Sequence, residues 1–140
     1  MEMRGYLDRQ KRAIVRVEID GGVKQAVLNL EIDTGAEPPL LISDAWAKEL
    51  GIVGQPGHTA TLADGSLRSV GVGTARILWL DQWQDVEVVI WPSMPGQAGE
   101  ARRRGRPDGL LGRRQLSNAG LSIDYPNGRV IVSTVSSPAA

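Results

Sequence analysis

Leu30-Glu31-Ile32-Asp33-Thr34-Gly35-Ala36 decides how this chain is read. It closes an alternation in which Ala26, Leu28, Leu30 and Ile32 fall on one side and Val27, Asn29 and Glu31 on the other. A period of two is the mark of a strand with one face on a core. Upstream, Ile14, Val15, Val17 and Ile19 are apolar and β-branched, and Asp20-Gly21-Gly22 supplies a turn. The two runs predict a hairpin that delivers the chain to Asp33. A loop, Asp33 to Pro39, then precedes the short apolar run Leu40-Leu41-Ile42.

Further out, Ser43 is placed to cap a short helix through Leu50. Trp46 and Leu50 share a face at i, i+4, Asp44 precedes Lys48, and Gly51 is the stop. Thr59–Leu62 and Val70–Leu80 read as strands around the Asp-Gly turn Ala63-Asp64-Gly65-Ser66, and Val86, Val88 and Ile90 mark another. Residues 93–107 are rich in Pro, Gly and Arg (Arg102, Arg103, Arg104, Arg106) and are expected to form a flexible surface loop open to proteolytic nicking or self-cleavage. Asp108-Gly109-Leu110-Leu111-Gly112 returns to the core, with a short helix after it that turns Leu116 inward and stops at Gly120. Leu121–Tyr125, the turn Pro126-Asn127-Gly128 and Arg129–Val135 form a last hairpin. The expected total is roughly seven to nine strands and two short helices, an all-β closed or orthogonally packed barrel. The expected domain spans residues 13–135, between a charged tail at 1–12 and a second tail at 136–140.

Composition narrows the chemistry. A length of 140 residues suits one core. Sixteen basic against sixteen acidic residues leave no net charge to attract nucleic acid or an anionic membrane. The Arg-rich run lacks a neighbouring aromatic on which bases could stack, so it reads first as a solvated loop and second as an acidic-partner patch. Cysteine is absent, which excludes disulfides, thiol catalysis and Cys-based zinc sites, and the single His58 reads as a surface residue. Trp46, Trp79, Trp83 and Trp91 read as packing residues, and Asp124 as a strand-end or turn residue. The charged N-terminus lacks the apolar segment of a signal peptide, and no apolar run could span a bilayer, so the expectation is a cytoplasmic protein with no membrane partner. Carboxylate chemistry survives these exclusions, with no metal and no organic cofactor expected.

The apolar-Asp-Thr-Gly-Ala stretch and the later Leu110-Leu111-Gly112-Arg113-Arg114-Gln115-Leu116 together resemble the retropepsin-like, single-domain aspartic proteases, including their bacterial and DNA-damage-inducible-type members. The resemblance runs from about Ile14 to Val132, and Gly120-Leu121-Ser122-Ile123-Asp124 extends it. It implies an acid-protease barrel completed as a homodimer, with the strand Arg129–Val135 a candidate for the dimer interface and with Asp33, Thr34 and Gly35 catalytic. Ala36, Glu37, Ala63, Asp64, Gly65, Ser66 and Leu111 would contact a peptide or unfolded-protein substrate, and Gly112 and Arg113 would support the site. By the same resemblance Ala63–Val70 is a flap, and Arg113 pairs with Glu37. Pro38-Pro39 departs from the viral pattern and removes two backbone donors.

Physical chemistry agrees with the resemblance. Hydrolysis of a peptide bond needs a base for the attacking water and an acid for the carbonyl oxygen or leaving nitrogen. Two adjacent carboxyl groups sharing one proton supply both, since like charges at close range cannot both ionise. Asp-Thr-Gly occurs once in this chain, so a second copy must bring the partner carboxylate. Activity is then expected to fall at alkaline pH as the shared proton is lost. Two blander readings stand beside this one: an ordinary Asp-Thr-Gly turn, and the same dimeric fold as a catalytically silent peptide-binding or adaptor module.

Overall fold

A computed structural model describes residues 1–61, 64–92 and 105–135. Among these residues ten strands lie in one sheet: β1 (Glu2–Leu7), β2 (Ala13–Asp20), β3 (Gln25–Asp33), β4 (Leu40–Ser43), β5 (Gln55–Thr61), β6 (Leu67–Trp79), β7 (Gln82–Trp91), β8 (Gly109–Gly112), β9 (Ala119–Asp124) and β10 (Arg129–Thr134). Also among the described residues, the short helices α1 (Asp44–Leu50) and α2 (Arg113–Leu116) follow β4 and β8. The spatial order is β5-β6-β7-β4-β8-β3-β2-β1-β10-β9, and a further β2–β6 pairing, Ile19 opposite Ile77, closes six of the strands into a barrel. Closure removes the exposed edges of those strands. The all-β barrel expected from the sequence is thus present.

Alternation builds the core. Val15, Val17 and Ile19 of β2, Leu28 and Leu30 of β3, Leu40 and Ile42 of β4, Ile77 of β6, Val88 of β7 and Leu111 of β8 are fully buried together. Burying a Leu, Ile or Val side chain stabilises the fold by about 1.5–3 kcal/mol, and this cluster is the main source of that free energy. The hairpin between β2 and β3 forms where Asp20-Gly21-Gly22 predicts it: Gly22 has φ 99° and donates its N–H to the Asp20 carboxylate at 2.9 Å. At α1, the Ser43 side chain accepts the Trp46 N–H at 3.2 Å, and Gly51 ends the helix in the left-handed conformation with φ 84°. No helix among the described residues is long and apolar enough to cross a membrane.

Four expectations change. Residues 2–7, expected within a tail, form β1 and pair along β10 from Glu2 opposite Ser133 to Tyr6 opposite Arg129. Gly109–Gly112 is itself a strand, parallel to β3, which carries the described count above the expected range. Gly120 does not stop α2; the helix ends at Leu116 with Ser117 as its cap, and Gly120 lies inside β9. The last hairpin's second strand, β10, is an interior strand, with β1 on one side and β9 on the other. The tail at 136–140, and residues 93–104 of the expected Arg-rich loop, lie outside the described residues.

Candidate active site

Asp33 is the last residue of β3, and Gly112, the last of β8, is its partner in the parallel ladder. Beyond Asp33 the chain turns, with the Ala36 N–H donating to the Asp33 carbonyl at 3.2 Å. The same loop is strapped to the start of α2: Arg113 N–H donates to the Ala36 carbonyl at 2.8 Å and Arg114 N–H to the Glu37 carbonyl at 3.3 Å. Gly112 N–H donates to Pro39 at 3.2 Å. A side chain at Gly112 would collide with the carbonyl oxygens of Pro38 and Ala36, so glycine is what lets the two chain segments touch. Pro38 and Pro39 lack N–H groups, yet their carbonyls remain available, and Pro39 accepts the Gly112 bond.

The carboxylate of Asp33 is half-buried and accepts the Gly35 N–H at 3.0 Å, the one hydrogen bond it makes among the described residues. A Cβ on Gly35 would crowd the same oxygen at 3.3 Å. Thr34 and Gly35 are exposed and Ala36 is half-buried, so the loop presents its face outward with the carboxylate at its root. The expected contact between Glu37 and Arg113 is present at 3.7 Å, and Arg114 approaches the other Glu37 oxygen at 3.9 Å. These side chains are more than half exposed, so the pairs contribute little to stability.

The hairpin of β5 and β6 stands where the flap was expected and is longer than its sequence pattern suggested, pairing His58 with Val70 through Thr61 with Leu67. His58 is exposed within β5. At the tip, Ser66 donates its N–H at 2.9 Å and its hydroxyl at 2.6 Å to the Asp64 carboxylate, and Gly65 takes φ 86°. These hydrogen bonds favour ionised Asp64 and hold its pKa below the usual carboxylate value. Ala63 lies outside the described residues.

Leu111, expected beside the substrate, is fully buried in the barrel core, and its half-buried neighbour Leu110 takes the opposite face. Three residues near the site carried no functional signal in the sequence. Asp108 is buried and holds Asn29 from both sides, its carboxylate accepting the Asn29 N–H at 2.8 Å and its own N–H donating to Asn29 at 2.7 Å. Asp8 and Arg12 close the β1–β2 turn, Arg12 Nε donating to Asp8 at 2.6 Å and a second guanidinium nitrogen to the Gly105 carbonyl at 2.8 Å. Burial alone would raise the Asp8 pKa, but hydrogen bonds from the Arg12 backbone, the Arg12 side chain and the Gln10 N–H outweigh it and lower the value.

A family described as aspartyl protease matches residues 15–114. Among solved structures, the protease of EIAV complexed with the inhibitor HBY-793 superposes with a TM-score of 0.55 at 19% identity, over 78% of this chain and 88% of that one. No curated protein sequence matches this chain.

Proposed function

Because the chain belongs to the aspartyl protease family and has the retropepsin-like fold, we propose that it is an endopeptidase whose Asp33 pairs with Asp33 of a second copy across a twofold axis. The observation that carries the reading is the Asp33 loop itself. One carboxylate stands at the end of a barrel strand, half-buried, fixed by Gly35, and without a second carboxylate hydrogen-bonded to it among the described residues. A lone carboxylate can act as base or as acid but not both at once, and a twofold copy supplies the other role.

In the paired state one proton is shared. The ionised member takes a proton from the water between the two groups, while the protonated member donates to the carbonyl oxygen of the peptide. Proton transfer to the nitrogen then releases the amine product. Thr34, exposed and with no hydroxyl hydrogen bond among the described residues, is available to brace the partner loop. Gly35 and Ala36 offer backbone groups to the substrate, and Asp64, Gly65 and Ser66 at the hairpin tip would close over it, excluding water. Gly112 and Arg113 support the site by holding the Asp33 loop on α2.

The test is Asp33→Asn. The substitution keeps the shape and removes the charge, so cleavage of unstructured peptides should drop by about a hundredfold or more while the dimer, measured by light scattering, persists. A statine-type inhibitor should block the wild-type protein. Undiminished cleavage by Asp33→Asn would refute the mechanism.

A further inference from the structure

Glu31 stands two residues before Asp33 on β3, and no cation among the described residues closes an ion pair on it. Residues two apart on a strand share a face, so Glu31 and Asp33 project to the same side of β3, opposite Leu28 and Leu30 in the core. Ladder partners also share a face. Ile14 of β2 and Leu110 of β8 are the partners of Glu31, so the carboxylate rises between two apolar side chains. Desolvation there raises its pKa, the attraction of Arg12 opposes the rise, and the negative charges of Asp33 and Asp8 add to it. Arg12 does not close onto Glu31, because its guanidinium is held by Asp8 and the Gly105 carbonyl. The Glu31 side chain makes no hydrogen bond and no ion pair among the described residues.

We infer that Glu31 is a specificity residue that receives a lysine or arginine side chain of the peptide, close to the bond being cut. The inference rests on Asp33 marking the substrate cleft. A half-buried carboxylate with no partner gains most from a cation that brings its own apolar stem. Lys and Arg fit both requirements: the methylenes lie on half-buried Leu110, and the charged end reaches Glu31. A neutral side chain leaves the carboxylate desolvated and unpaired, and an acidic one adds repulsion from Glu31 and Asp33 alike.

The test separates binding from cleavage. Fluorescent decapeptides that differ only in Arg, Lys, Leu or Glu at each position are titrated into the 140-residue Asp33→Asn protein. At one position Arg or Lys should bind about tenfold more tightly than Leu, with Glu weakest. Adding Glu31→Gln should reduce the Arg-to-Leu ratio to about one, and Glu31→Lys should invert the order in favour of Glu. A preference unchanged by Glu31→Gln, the absence of any basic preference, or the absence of any peptide binding would overturn the inference. Cleavage of the same peptides by the wild-type chain is scored separately. If Arg peptides bind selectively but none is cut, the hydrolytic reading fails and the role of Glu31 stands; if peptides are cut with no basic preference, the reverse holds.

Discussion

Asp8 and Glu31 are neighbouring carboxylates that the fold treats in opposite ways. Asp8 gathers hydrogen bonds that favour its charge, whereas Glu31 is desolvated between Ile14 and Leu110. Opposite pH dependences of stability follow. For Asp8 the folded-state pKa lies below the ordinary value of 3.8, so its contribution is complete above that value and is lost as pH falls through the folded pKa. For Glu31 the folded-state pKa lies above 4.5, so the folded form holds the extra proton and stability declines as pH rises from 4.5 through the raised value. Urea midpoints recorded across that range should show Asp8→Asn less stable than wild type at pH 7, by about 1–3 kcal/mol for the lost charge-assisted hydrogen bonds, with the gap closing in acid. Glu31→Gln should be more stable than wild type at pH 7 and equal to it well below pH 4.5. A neutral-pH loss on Glu31→Gln would show that the carboxylate has a partner that stabilises it.

At the scale of elements, what the sequence reveals is what local pattern controls. The alternation of Ala26 to Ile32 and the turn at Asp20-Gly21-Gly22 are short-range signals, and β2, β3 and the position of Asp33 follow from them. The same holds for the caps of α1, Ser43 and Gly51. β1 has no such signal. Its sequence, Glu2-Met3-Arg4-Gly5-Tyr6-Leu7, buries no large side chain fully, and it is a strand because β10, more than a hundred residues away, supplies its ladder. The Asp108 clamp on Asn29 spans 79 residues and is equally invisible locally. In the Leu110-Leu111-Gly112 segment the residue types point to the core, but which leucine faces the cleft depends on register with β3, which one strand cannot reveal. Gly112 is the point where the two segments of the site are forced together. Gly112→Ala should destabilise the fold by about 1–3 kcal/mol, because the colliding atoms are backbone carbonyls of the Asp33 loop that cannot rotate away. Thermal melting measures the loss, and cleavage should fall further than stability does, since the displaced loop carries Asp33.

For the whole molecule, the decisive matter is how two copies would meet. β10, the strand expected at the dimer interface, is occupied on both sides, so its neighbour β9 carries the open edge at that end of the sheet among the described residues. β9 spans six residues, Ala119–Asp124, with no proline and no lysine to discourage pairing, and Leu121 and Ile123 are only partly buried. It also follows α2, which starts at the residue after Gly112, the ladder partner of Asp33. A twofold axis through paired β9 edges would therefore act on chain directly continuous with the site. Ser122 is exposed and central in the strand, so in an antiparallel pairing of two copies it sits at or near its own symmetry mate. Ser122→Asp then sets like charges against each other across the axis and should weaken the dimer. Sedimentation at micromolar concentration should shift toward the monomer, and cleavage should fall in step and recover as protein concentration is raised. If the variant stays dimeric with full activity, the two copies join elsewhere. If it becomes monomeric and still cleaves, a second Asp33 is not required.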